Sequence, residues 1–127
     1  MRERLMKSGR QAVEHAYSPH SRLRVGAAVL AKREIYTGCN IENGSYGLTV
    51  CAERVAILKA VSEGHRQIEA VFVTGSAPAD MTTGARFVPC GACLQVMAEF
   101  GGPELLVIVD QAGEFHLRDL LPQPFGV

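Results

Sequence analysis

Residues 50–74, VCAERVAILKAVSEGHRQIEAVFVT, decide the fold. From Cys51 to about Glu63 the stretch is apolar nearly all round, which predicts a helix buried on more than one side. Gly64 is its stop signal. Ala70 to Thr74 is then an unbroken apolar run, the mark of a central strand. A second helix follows over Cys90–Phe100, where Cys93, Leu94, Val96, Met97 and Phe100 give helical spacing. Gly101-Gly102-Pro103 ends it, and Leu105–Val109 reads as another buried strand. Alternating helices and strands after residue 50 predict an α/β layer sandwich with a mixed sheet, the two cysteine-bearing helices being its crossovers.

The remaining elements arrange themselves around that core. Residues 2–16 are loosely amphipathic and predict a surface helix, interrupted in pattern by Gly9 and ended before Pro19. Val25–Leu30 and Ile35–Asn40 read as antiparallel strands joined by Ala31-Lys32-Arg33-Glu34. That turn holds no Gly or Asn, so its type is open. Asn43–Gly47 and residues 75–88 are loops by composition. Phe115–Leu117 is a short fifth strand, and Leu117–Leu121 one helical turn.

The chain has 127 residues, the size of one domain, long enough to bury a core without disulfides. Its formal net charge is zero, which leaves no electrostatic footprint for nucleic acid or an anionic membrane. No apolar run is long enough to span a bilayer, and the first residues lack a signal-peptide pattern. A cytoplasmic location is expected.

In a reducing compartment the four cysteines, Cys39, Cys51, Cys90 and Cys93, point to metal binding or catalysis rather than two disulfides. Three of them open helices. Helix N-termini stabilise thiolates, and Cys90 and Cys93 lie nearly one turn apart. If the two helix starts meet, Cys51 completes a triangle that can hold zinc and leave a fourth position free, as in a catalytic site. Glu53 is the candidate proton carrier beside it. Two residues along a helix turn through about 200°, so Cys51 and Glu53 share a site only if the helix start is that site. Arg54 is placed to hydrogen-bond a ligand sulfur and offset the thiolate charge. Pro-Cys-x-x-Cys alone also fits a redox pair or half of a structural zinc site. Cys39, inside an apolar strand, reads as a small buried residue.

Three sulfur donors with a non-ligating Glu are the known pattern of zinc nucleobase deaminases, and the role given to Glu53 leans partly on that pattern. Over nearly its whole length the chain resembles the small, all-cysteine, homo-oligomeric cytidine deaminases. The resemblance rests on Val25-Gly26-Ala27-Ala28, Gly38-Cys39-Asn40-Ile41-Glu42-Asn43, Cys51-Ala52-Glu53-Arg54, Pro89-Cys90-Gly91-Ala92-Cys93 and Leu120-Leu121-Pro122. It implies a three-layer α/β/α sandwich with a mixed five-stranded sheet, formed by residues 1–127 as one domain. It implies Zn2+ on Cys51, Cys90 and Cys93, Glu53 as proton shuttle, and hydrolytic deamination of cytidine or deoxycytidine.

By the same resemblance Asn40 and Glu42 bind ribose hydroxyls, and the Ala52 N–H meets the base carbonyl. The Val88 carbonyl faces the departing amine, and Leu23 flanks the base. Phe125 reaches a neighbouring subunit's site, and Tyr46 lies at subunit contacts, in a homotetramer with no nucleic-acid polymer or membrane partner. Three positions depart from the family pattern. Leu23 stands where Phe is usual and cannot stack, Leu94 replaces a common Arg, and Gly44 replaces Ala. The alternatives are a deaminase of another aminopyrimidine nucleoside, such as a nucleoside antibiotic, a zinc-stabilised binding module, and a redox protein.

Overall fold

The computed structural model describes residues 1–82, 84 and 86–126. The amphipathic start forms α1 (Arg2–Ala12), prolonged by a 3-10 turn over Val13–His15. Gly9 does not break it. A Cβ there would come within 2.8 Å of two Phe72 ring atoms, so the glycine lets α1 lie close on the sheet.

Strands β1 (Arg24–Ala31) and β2 (Glu34–Cys39) form the expected hairpin. Lys32 and Arg33, its two connecting residues, have φ of 48° and 69°. Left-handed φ at both positions is what a type I′ turn needs, and it is usually met by Gly or Asn. Here Glu69 helps hold the turn. Its carboxylate accepts from the Lys32 N–H at 3.1 Å, and its own N–H donates to the Leu30 carbonyl at 2.8 Å.

The rest of the chain supplies α2 (Ala52–Ser62), β3 (Ala70–Ser76), α3 (Gly91–Phe100), β4 (Leu106–Val109), β5 (Gly113–His116) and the single turn α4 (Leu117–Leu120). β3 runs two residues past its expected end, so the long loop begins at residue 77, with residues 83 and 85 outside the described ones. The fifth strand starts earlier than Phe115, and Leu117 belongs to α4.

The strands lie in the order β2-β1-β3-β4-β5. β1 is antiparallel to β2 and β3, β3 is parallel to β4, and β5 runs back against β4. Side chains alternate across this mixed sheet. Ala28, Ala70, Phe72 and Ile108 face Leu5 of α1. Ala27, Val29, Val71, Val73 and Val107 face the other way, against Ala56, Ile57 and Met97 of α2 and α3. Helices therefore cover both faces, and β3 is apolar from Ala70 to Val73 because that part is buried on both. Phe72 is fully buried, which is worth about 1.5–3 kcal/mol relative to exposure. α2 is less enclosed than its pattern suggests, since Leu58 stays half exposed. Among the described residues no helix is long and apolar enough to cross a membrane.

Candidate active site

Cys51 is the N-cap of α2, and Cys90 is the N-cap of α3. Both have the extended backbone usual at an N-cap, ψ 154° and 169°, and neither side chain makes a capping hydrogen bond. Cys93 sits in the first turn of α3 and is fully buried. The helix starts meet: the Cys51 and Cys90 sulfurs are 3.9 Å apart, and those of Cys90 and Cys93 3.5 Å. Zinc–sulfur bonds of about 2.3 Å in a tetrahedron demand sulfurs about 3.8 Å apart. Two separations match that figure and all three sulfurs lie within 4.8 Å of one another, so the donor set fits a zinc ion. It does not fit a disulfide, whose sulfurs lie about 2.05 Å apart, and all four cysteines are free. Among the described residues this is the one group of three or more His, Cys, Asp or Glu that can share an ion. Cys39 is not part of it, and burial pushes its thiol up.

Three adjacent sulfurs cannot all ionise freely without a cation. The hydrogen bond from Cys93 stabilises the Cys51 thiolate and pushes it down to about 5, against the opposing effect of burial. The Arg54 guanidinium adds to this, with Nη2 3.5 Å from the Cys51 sulfur and 3.4 Å from the Thr49 carbonyl. The Cys93 thiol is held up by the same hydrogen bond and by burial. Leu94 lies in the apolar core.

Glu53 is 4 % exposed and lines a cleft of about 220 Å³ together with Cys51, Cys90 and Ala52. The helix start is thus the site, as the 200° argument requires. Burial, and next the Cys51 charge, push the Glu53 carboxyl up to about 7, against the hydrogen bond from its own backbone and the Arg54 charge. Leu23 and Val88 line the same cleft. Ala52 is completely buried, and its N–H lies in the first helical turn, where no intrahelical acceptor exists.

Asn40 and Glu42 are not in one pocket. Asn40 lines the cleft, with its amide braced between backbones: Oδ1 accepts from the Val25 N–H at 2.9 Å, and Nδ2 donates to the Leu23 carbonyl at 2.8 Å. Glu42 faces an adjoining pocket of about 320 Å³ with His20 and Tyr46. Its carboxylate accepts from the His20 and Ser21 N–H groups at 2.8 and 3.0 Å and from the Ser21 hydroxyl. Burial opposes ionisation there, but these hydrogen bonds outweigh it and leave the Glu42 carboxyl lowered. Ser21 and Thr49 line both spaces, so the two adjoin. Phe125 and Tyr46 are 78 % and 75 % exposed, and Phe125 lies outside its own chain's cleft. The Phe125 backbone is held by Gln95, whose amide donates to its carbonyl at 2.9 Å and accepts from its N–H at 3.1 Å. Residue reading missed Thr49, Val73 and Phe87 as cleft walls. Thr49 and Phe87 sit in segments without periodicity, and Val73 reads only as core.

The family profile for the cytidine and deoxycytidylate deaminase zinc-binding region matches residues 1–109. A cytidine deaminase of Sporosarcina psychrophila is 48 % identical, over 98 % of this chain and 90 % of its own. One from Halalkalibacterium halodurans is 43 % identical, over 98 % and 93 %. Among solved structures, cytidine deaminase from Burkholderia pseudomallei superposes with a TM-score of 0.84 at 39 % identity, covering 98 % of this chain and 99 % of that one. The enzyme from Mycobacterium tuberculosis also gives 0.84, at 40 % identity over 98 % and 97 %.

Proposed function

The chain belongs to the cytidine and deoxycytidylate deaminase family, and on that premise we propose that it hydrolyses cytidine or deoxycytidine to uridine or deoxyuridine with release of ammonia. The observation that carries this is the sulfur triangle at two helix N-termini, with a buried carboxylate in the adjoining cleft. Cys51, Cys90 and Cys93 hold the zinc ion, which when bound supplies the Lewis acidity that makes water a nucleophile near neutral pH. Glu53 takes a proton from the attacking water and delivers it to N3 of the ring, which makes C4 electrophilic. A proton then passes through the same carboxyl to the departing amine. The buried setting of Glu53 suits it to both directions, because its carboxyl is poised near the working pH. Ala52, at the dry end of the cleft, offers its N–H to the base carbonyl, and the Val88 carbonyl receives the amine. Arg54 offsets thiolate charge.

The base lies in the cleft beside Leu23, and the ribose extends along the groove past Asn40 toward Glu42. Asn40 acts there with its remaining hydrogen-bond capacity and by fixing the backbone of Leu23 and Val25. One domain carries the whole activity, in the cytoplasm. The exposed Phe125 and Tyr46 serve contacts in a homotetramer, where Phe125 completes a neighbour's site. Sedimentation should return a tetramer, and a fully active monomer would refute that arrangement. The catalytic reading is tested with Glu53→Gln, followed by the ultraviolet absorbance change of cytidine. The variant should retain zinc and lose turnover. Full turnover in the variant removes Glu53 from the mechanism.

A further inference from the structure

Flat rings recognise flat rings, because stacking adds electrostatic and dispersion contact that an aliphatic wall does not supply. Leu23 lacks a ring. Among the described residues lining the cleft, Phe87 alone is aromatic. It is half-buried, three residues before Cys90, so one short segment carries both a sulfur donor and a ring.

The ring has a built seat. A Cβ on Gly75 would come within 2.5 Å of three consecutive ring atoms of Phe87, Cγ, Cδ1 and Cε1. Similar distances to three neighbouring atoms put that point over the ring face, not beyond its rim. One face of Phe87 therefore lies against the β3 backbone, and any side chain at position 75 displaces it. Glycine inside a strand often marks the close approach of another group, and here that group is a cleft wall. Gly75 pairs with Val25 of β1, which lines the same cleft, so sheet register fixes the seat relative to the pocket.

We propose that Phe87, seated on Gly75, is the residue that selects a flat pyrimidine ring in this cleft. The inference rests on the reading of the cleft as the base site and names the side chain that gives it base specificity. Attack at C4 makes that carbon tetrahedral and reduces the flatness of the ring. Contact with Phe87 therefore favours substrate and product over the transition state, and its loss raises KM more than it changes kcat.

The test uses the zinc-loaded protein with Phe87→Leu, Phe87→Met and Phe87→Tyr. KM for cytidine should rise about tenfold in the Leu and Met variants, with kcat within about threefold, and stay within about twofold in the Tyr variant. Calorimetry with uridine and with its saturated-ring analogue 5,6-dihydrouridine separates stacking from packing. Affinity for uridine should fall about tenfold, and for dihydrouridine less than about threefold. Phe87→Met keeps length and flexibility, so it carries the test if the Leu variant folds poorly. Unchanged KM and uridine affinity in the non-aromatic variants overturn the assignment, as does equal loss for the two ligands. A wild-type protein that neither deaminates cytidine nor binds uridine sinks the catalytic reading itself, and this inference with it. A wild-type enzyme that does both, beside indifferent variants, sinks the inference alone.

Discussion

Replacing Gly38 with alanine should damage the active site from behind. Gly38 lies in β2, directly under the first turn of α2, and its φ needs no glycine. What matters is room. A Cβ at this position would meet the Ala52 carbonyl oxygen at 2.5 Å, the Ala56 nitrogen at 2.6 Å and the Val55 Cβ at 2.9 Å. Two of these are backbone atoms of a hydrogen-bonded helix, so no rotamer change relieves the clash. Ordinary contact begins near 3.4 Å, so the start of α2 must retreat by roughly 1 Å. Overpacking of this kind costs about 1–3 kcal/mol of stability. The larger effect is on the site, because this turn carries Cys51 and Glu53. Metal–ligand distances tolerate about 0.2 Å, and a misplacement of about 1 Å at a reacting centre can cost 10²-fold in rate. The expected result is an unfolding free energy from urea titration lowered by about 1–3 kcal/mol, reduced zinc retention after dialysis, and kcat/KM down about a hundredfold at saturating zinc. Gly102→Ala is the control, since a Cβ there meets nothing within 4 Å. If Gly38→Ala folds, retains zinc and turns over cytidine within threefold of the wild type, the claim that α2 is pinned by this contact is wrong.

Arg54→Gln should lower zinc affinity or kcat/KM by about 10- to 100-fold, the usual effect of losing a group that orients metal ligands. Zinc titration and steady-state rates read it, and wild-type values would remove Arg54 from the site's charge balance. Stripping zinc with a chelator should destabilise the fold by about 4 kcal/mol relative to protein in zinc at a thousandfold its dissociation constant. A melting curve unchanged by the chelator would mean that the sulfurs do not hold a metal. Asp110→Asn removes the carboxylate that accepts from Arg10 at 2.8 and 3.1 Å and from the Thr74 hydroxyl at 2.9 Å. It should cost about 0.5–1 kcal/mol near neutral pH, a modest figure because Arg10 is half exposed. Arg10 holds the Asp110 carboxyl below its ordinary range. A depressed folded value means this stability is present above the unfolded pKa of about 3.9 and is lost as pH falls through the folded one. The gap between wild type and variant should therefore close in acid, and a gap that widens there would contradict the ion pair.

The layers of the fold were readable because the burial that defines them is written in two periods. β3 is apolar at every position from Ala70 to Val73 because helices lie on both sides of it, and α2 and α3 show the helical spacing of elements pressed on a sheet. The sulfur triangle was readable for another reason. Helix N-termini stabilise thiolates, and helix starts are among the features a sequence marks well. What escaped is what depends on a partner from elsewhere in the chain. Lys32 and Arg33 adopt positive φ against their own preference, held by Glu69 from across the turn. Asn40 and Glu42, polar and two residues apart, look like a pair aimed at one ligand. Their bonds within the chain were not readable: Asn40 braces the cleft wall, and Glu42 accepts from the 20–21 backbone. Phe87 carried no signal at all, because its seat on Gly75 is a tertiary contact between a loop residue and β3.

The charge balance of the site explains why Arg54 and Glu53 adjoin on one helix start. Three thiolates and a divalent ion leave one net negative charge, which works against acidifying a water. The ends of α2 and α3 each contribute about half a positive charge to the sulfurs they carry, and Arg54 adds a full one against Cys51. The proposed shuttle role also asks this turn for a carboxyl easy to protonate, and a guanidinium close to Glu53 would defeat that by holding it ionised. The structure separates the two tasks by direction. Arg54 turns toward Thr49 and the Cys51 sulfur, while Glu53 is buried against the cleft, where desolvation outweighs the arginine's pull. Adjacent residues on a helix point about 100° apart, and that angle lets one turn stabilise thiolates on one side and keep a carboxyl near its protonation midpoint on the other.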